Sequence, residues 1–384
     1  MRIPGYTSTG SKRPDVLFGA FEGMPAYLSR AEGCAVWDEE GRQYIDLVMG
    51  LGSVALGYAH PSVVEAVTRA LVAGGTGPLP PVVEERTADR LCAVLPGAEA
   101  VRFLKTGAEA VAAAVRIARV HTSRDRVLTC GYHGWLDWCQ VAGGVPAAVQ
   151  RLHTDIPFDD PAGLDAALTA GEEVAAIVVE PVIDHAPSRE WLEVLRDRAT
   201  KTGAVLVFDE IKTAFRIALG GAAERWGIVP DLVVVGKALG NGVPIAAVAG
   251  GRDLMEATTR TWISSTLATE SLGLAAAEAV LDTYVREAVI HHLREAGQIL
   301  YDTIAALAGA YPSLLTGVCG MPEMCYPAFR SPETSAAVAQ AAARRGLLLK
   351  RDAYNYVSWA HTEDALVAVS ERLHDAMEDV TRQC

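Results

Sequence analysis

Short, almost uninterrupted apolar runs punctuate the middle of the chain. Val127–Cys130, Ala175–Val179, Val205–Phe208, Leu232–Val235 and Ala246–Ala249 are each four or five residues long, and most are rich in β-branched side chains. Strands buried on both faces read this way, because each side must meet a packed layer. Segments with helical spacing lie between several of these runs. Ala108–Val120 is rich in alanine and follows a Thr-Gly turn. Trp191–Thr202 sets Trp191, Leu192, Leu195 and Ala199 at helical intervals and stops before Gly203. This alternation predicts an α/β fold: a mostly parallel sheet with helices on both faces.

The two ends read differently. Ala26–Ala31 and Gln43–Leu47 are short extended runs around a Glu39-Glu40-Gly41 turn, and a helix is expected over Pro61–Ala73, with proline in its first turn. The last third carries long Ala/Leu helices at Leu272–Val285 and Ala288–Ala308, a shorter mixed region, and a final helix over Glu363–Arg382. The expected organisation is a large α/β domain over residues 65–275 and a smaller α+β domain built from residues 1–64 and 276–384.

Composition narrows the function. With 384 residues, 50% of them hydrophobic and 21% charged, the chain can bury a large core. A net charge of -13 argues against nucleic acid, whose phosphates need a basic face. No apolar run is long enough to cross a bilayer, and MRIPGYTSTGSKRPD lacks the apolar stretch of a signal peptide. The seven cysteines (34, 92, 130, 139, 319, 325 and 384) are scattered, without a CxxC pair. Free thiols in a reducing cytoplasm are the simplest account. No residue cluster has metal-ligand spacing, so no metal is expected.

Four features carry candidate chemistry. Lys237 follows the run Leu232–Val235 after a single glycine, Gly236, and precedes a glycine-rich turn, Gly240-Asn241-Gly242. A lysine drawn out of water has a lowered pKa and becomes a nucleophile. Asp209 ends the run Val205–Phe208, where open α/β sheets bind their ligands. It lies 28 residues before Lys237, one strand–helix–strand excursion, so both can reach one crevice. An acid and a lysine that meet there suit pyridoxal phosphate (PLP): the lysine forms an imine, and the carboxylate keeps the pyridine nitrogen protonated. Thr106-Gly107-Ala108-Glu109 opens a helix, whose first N–H groups suit a phosphate. Tyr132 and His133, in Gly131-Tyr132-His133-Gly134-Trp135, follow a strand end. There an aromatic can stack on a flat ring or serve only as packing, and His133 is either catalytic or a hydrogen-bonded structural residue.

At these residues the sequence resembles the class III aminotransferases of PLP fold type I, nearest the glutamate-1-semialdehyde aminomutase-like subgroup. The resemblance runs from Ile3-Pro4-Gly5 through Arg30-Ala31-Glu32-Gly33, Trp37-Asp38, Tyr44-Ile45-Asp46 and Leu56-Gly57-Tyr58-Ala59-His60-Pro61. It is strongest at Phe208-Asp209-Glu210-Ile211, Phe215-Arg216, Pro230-Asp231-Leu232 and Gly236-Lys237, and ends at Ser358-Trp359-Ala360-His361-Thr362. It implies that Lys237 is the imine lysine and, once released, the base that moves a proton. It implies further that Asp209 pairs with the pyridine nitrogen, that Ile211 and Tyr132 pack on opposite ring faces, and that Gly107 and Ala108 present N–H groups to the phosphate. Thr266 matches the position from which a neighbouring subunit gives a hydroxyl to that phosphate, which implies a homodimer with shared active sites.

Several positions depart from the family pattern. Ala108 stands where a Ser or Thr is common. Asp184-His185 stands where aminomutases carry an asparagine that bonds the ring hydroxyl. Lys212 is unusual beside Asp209–Ile211; it is a candidate for that lost contact, or a solvated or salt-bridged lysine. Leu51 or a neighbour replaces an aromatic near the substrate, and Asp352-Ala353-Tyr354-Asn355-Tyr356 lacks the acidic substrate-site residue.

The expected function is therefore transfer of an amino group from a small-molecule donor to a carbonyl acceptor. The alternatives are a PLP-dependent aminomutase or racemase, an unusual PLP-dependent biosynthetic reaction, and a non-catalytic binding protein. Lys12, Arg13 and Arg351 are candidates for a substrate carboxylate.

Overall fold

A computed structural model describes residues 2–20 and 22–383, the last by its backbone alone. The chain divides into two compact units, Pro61–Ile290 and a second that joins Met1–His60 to His291–Cys384.

The first unit is built on a seven-stranded sheet. Its strands are β1 (Ala100–Leu104), β2 (Arg126–Cys130), β3 (His153–Asp155), β4 (Val174–Val179), β5 (Val205–Asp209), β6 (Leu232–Val235) and β7 (Ala246–Gly250). The spatial order is β1-β7-β6-β5-β4-β2-β3. Only β7 runs antiparallel to its neighbours; the other pairings are parallel. Strands β2, β4, β5, β6 and β7 are buried at every residue, as their near-continuous apolar sequences require.

Alternation sorts these side chains between two layers. Val178, Val205, Val207, Val234 and Val248 pack with helix α1 (Gly107–Thr122). Ile177, Val179, Leu206 and Phe208 pack with helix α2 (Arg189–Thr202), whose Trp191, Leu192, Leu195 and Ala199 are fully buried. Each of the larger side chains contributes roughly 1.5–3 kcal/mol. Helix α2 starts at Ser188, whose hydroxyl accepts from Trp191 N, and stops where Gly203 turns left-handed at φ 68°. Two strands were not legible in the pattern: β1, interrupted by Arg102, and β3, a three-residue polar edge strand.

The second unit holds a four-stranded sheet (Leu28–Glu32, Ala35–Asp38, Gln43–Asp46 and Leu347–Leu348) and a three-stranded one (Leu315–Met321, Met324–Phe329 and Asn355–Tyr356). Helices Pro332–Arg344 and Glu363–Gln383 pack with them. No helix among the described residues is long and apolar enough to cross a membrane. The six described cysteines are free thiols; Cys384 lies outside the described residues.

Candidate active site

The parallel pairing of β5 with β6 places Asp209 opposite Val234. Glu210 N donates to Val234 O at 2.9 Å, so the two strand ends stay in register as they leave the sheet. Three residues beyond Val234 the chain reaches Lys237. Its backbone is left-handed at φ 45°, a conformation that costs a side-chain-bearing residue about 1–2 kcal/mol. Such strain persists where surrounding structure fixes it, and here it turns the chain sharply at the carboxyl edge of the sheet.

Asp209 is buried and does not stand alone. His133, also buried, donates from Nδ1–H to Asp209 Oδ2 at 2.8 Å, and Ile211 N donates to Oδ1 at 3.2 Å. The His133 ring lies against Trp138 with centroids 6.3 Å apart. Its other nitrogen, Nε2, is buried without a hydrogen-bond partner among the described residues. Imidazole and carboxylate thus form one fixed unit at the ends of β2 and β5.

The start of α1 meets the same place. Thr106 and Glu109 form a reciprocal capping box, which leaves the next two N–H groups, Gly107 and Ala108, ahead of any intrahelical acceptor. A Cβ on Gly107 would lie 2.5 Å from Ile211 Cδ1, and one on Gly236 would lie 3.1 Å from the same atom. Ile211 therefore touches both the helix start and the residue before Lys237. On the other side, a Cβ on Gly134 would lie 2.5 Å from the Ala108 Cβ. These glycines let three chain segments close up around one space.

A second acid belongs to the cluster. Glu180 follows β4 as Asp209 ends β5. Its Oε2 accepts from Tyr132 N at 2.8 Å, and its Oε1 lies 2.9 Å from Lys212 Nζ. Lys212 is thus salt-bridged and largely buried. Tyr132 itself is exposed. Glu180 was passed over in the sequence, although the rule that singled out Asp209, an acid closing an apolar run, applies to it equally. Glu210 points the other way. It accepts from Ala222 N and Ala223 N, both at 2.9 Å, and from the Thr213 hydroxyl; burial pushes its carboxyl up to about 7.

Desolvation, aided by the charge of Lys212, pulls the Lys237 amine down from 10.5 to about 8, against the opposing pull of Glu180 and Asp209. The cluster therefore offers a nucleophilic amine near neutral pH, a carboxylate held by an imidazole, and a helix start able to bind an anion.

The remaining candidates have surroundings of their own. Thr266 is exposed in a turn, and no hydrogen bond among the described residues joins it to this cluster. Asp184 and His185 are exposed, and His185 Nε2 lies 3.5 Å from Asp159 Oδ2. In the other unit, Lys12 is exposed, and Arg13 is paired with Asp15 through Nε at 3.0 Å. Arg351 donates to Val16 O at 2.8 Å and to the Ser335 hydroxyl at 3.0 Å, which ties its guanidinium to local structure.

The sequence pattern of the aminotransferase class-III family matches residues 20–156 and 162–382. The glutamate-1-semialdehyde 2,1-aminomutase of Neisseria gonorrhoeae is 35% identical over 328 residues, 79% of this chain and 76% of the relative. That of Neisseria meningitidis serogroup A is 32% identical over 417 residues, 98% of this chain and 96% of the relative. Among solved structures, the FumI protein of Sphingopyxis sp. MTA144, in its PLP internal aldimine form, superposes with a TM-score of 0.93 at 25% identity, covering 99% of this chain and 94% of that one. An omega-transaminase from Sphaerobacter thermophilus shares the fold, with a TM-score of 0.89 at 23% identity over 99% of this chain and 95% of its own. The architecture is PLP fold type I, and the chain belongs to the class III aminotransferases.

Proposed function

We propose that this chain is a PLP-dependent aminotransferase that carries an amino group from a small-molecule donor to a carbonyl acceptor. The observation that carries the reading is the meeting of Lys237, the His133–Asp209 pair and the start of α1 at one edge of the sheet. The parts of PLP each have a partner there. Its aldehyde needs a neutral amine, its ring nitrogen an acid, its phosphate the N–H groups of a helix start, and its flat faces apolar contacts. When bound, PLP supplies an electrophilic carbon and a protonated ring that accepts electron density.

The residues of this chain do the rest. Lys237 attaches the cofactor and, when released, holds or returns the proton that moves at the substrate's reacting carbon. Asp209 holds the proton on the ring nitrogen, and His133 fixes the carboxylate by donating to it. Gly107 and Ala108 bind the phosphate through their N–H groups, and Ile211 and Tyr132 flank the ring. Lys212, beside Glu180, is the polar group available to the ring hydroxyl, since Asp184 and His185 are exposed. Thr266 serves the site of a second copy. Its exposure supports this, together with that of its apolar neighbours Trp262 and Leu267, at 80% and 53%. The large PLP-binding domain is assigned to residues 65–275 and the smaller one to the two ends.

The aminomutase relatives favour a second reading, isomerisation without net loss of the amino group. A donor panel separates the two. With glutamate, glutamine, alanine and an ω-amine in turn, the aminotransferase reading expects the visible band of lysine-bound PLP to fade and pyridoxamine phosphate and a keto product to appear. A band that persists with every donor removes the aminotransferase reading and leaves the isomerase.

A further inference from the structure

Glu180 and Lys212 are held together by three converging segments, and Ile211, next to Lys212, touches Gly236, next to Lys237. The Glu180 carboxylate follows β4 and is held through Oε2 by Tyr132 N, from the loop after β2. Lys212, from the turn after β5, completes the pair at 2.9 Å. A Cβ on Gly131 would meet Glu180 Oε2 at 2.6 Å, so the loop backbone leans directly on the carboxylate. The side chains are only 8% and 11% exposed. An exposed pair would be screened by water and salt, whereas a buried pair keeps its field over several ångströms.

We infer that the Glu180–Lys212 pair sets the reactivity of Lys237 through opposed charges, Lys212 favouring the neutral amine and Glu180 the ammonium. The inference rests on Lys237 being the reactive amine proposed above. Both members are positioning residues in this role. Burial is the largest influence on Lys237; after it come Lys212, which lowers its basicity, Glu180 and Asp209, which raise it, and Arg216, which lowers it. Burial favours the neutral amine, and the pair brings a cation to it without leaving an uncompensated buried charge, which would be costly. A lysine placed beside another cation is a recognised way to make a nucleophilic amine at neutral pH.

The test is the pH dependence of Lys237 acetylation in the full-length chain stripped of cofactor, followed by peptide mass spectrometry. Lys212→Met removes the cation and should move the midpoint up by about one pH unit, so about tenfold less amine is neutral at pH 7. Glu180→Gln should move it down. The double variant should fall between the two, and Lys212→Arg should restore the wild-type midpoint. Circular dichroism identifies any variant that fails to fold; the sign of the Glu180→Gln shift then decides alone. Midpoints that coincide, or two single variants that shift in the same direction, overturn the inference. The proposed function fails separately, if wild-type protein given PLP carries none on Lys237.

Discussion

Replacing Gly107 by alanine places a methyl group 2.5 Å from Ile211 Cδ1, about 1 Å inside ordinary carbon–carbon contact. Something must move, and Ile211 is the side chain proposed to lie against the ring. Overpacking of this kind costs about 1–3 kcal/mol, while the helix gain of alanine over glycine is at most about 1 kcal/mol and smaller in a first turn. A net loss near 1.4 kcal/mol corresponds to roughly tenfold weaker PLP binding. Ile211→Val removes Cδ1, and the nearest remaining contacts to the new methyl become 3.4 and 3.5 Å. The double variant should therefore bind PLP about as well as Ile211→Val alone. Spectroscopic titration of PLP into the four proteins of the cycle gives the coupling, expected at about 1 kcal/mol in favour of the pair. Additive losses, or a neutral Gly107→Ala, would refute the claim that Ile211 bridges the helix start and the cofactor site.

Four further outcomes are expected. His133→Phe leaves the buried Asp209 carboxylate without its imidazole donor, and a loss of about 1–3 kcal/mol should appear as a lower melting temperature and weaker PLP binding. Thr106→Ala breaks the capping box of α1 and should lower stability by about 1 kcal/mol in denaturant titration. The Lys237 amine is depressed to about 8, so the rate of PLP attachment in stopped-flow should rise with pH and level off above about 8. The folded protein also resists protonation of this amine, so its contribution to stability is worst below pH 8 and recovers as pH rises toward 10.5. Lys237→Met should accordingly stabilise the cofactor-free protein at pH 7, by about 2 kcal/mol after allowance for partial exposure.

The elements that position the site were largely legible. Leu232–Val235 is the strand as expected, and Arg126–Cys130, Val174–Val179, Val205–Asp209 and Gly107–Thr122 differ from expectation by one or two residues at an end. The strands are buried at every residue and the helix along one side, and burial imprints a pattern on sequence. Strands β1 and β3 left no such imprint, because Arg102 and the sequence His153-Thr154-Asp155 do not read as buried runs. The convergence of Asp209 and Lys237 followed from strand-end logic. The bond from His133 to Asp209 spans 76 residues, and nothing local announces it. The partner of Lys212 was equally hidden, since a salt bridge to Glu180 depends on how β4 and β5 align. Arg351 shows the converse: a basic residue open to a substrate role in sequence is bound to backbone and hydroxyl oxygens within its own unit.

The most direct test of the account is to locate the cofactor on the chain. Protein purified with PLP is reduced with borohydride, digested, and the pyridoxyl group is mapped by mass spectrometry. The account predicts one modified residue, Lys237, and loss of both the label and the visible band in Lys237→Ala. A label on another lysine, or a band that survives in Lys237→Ala, would contradict it.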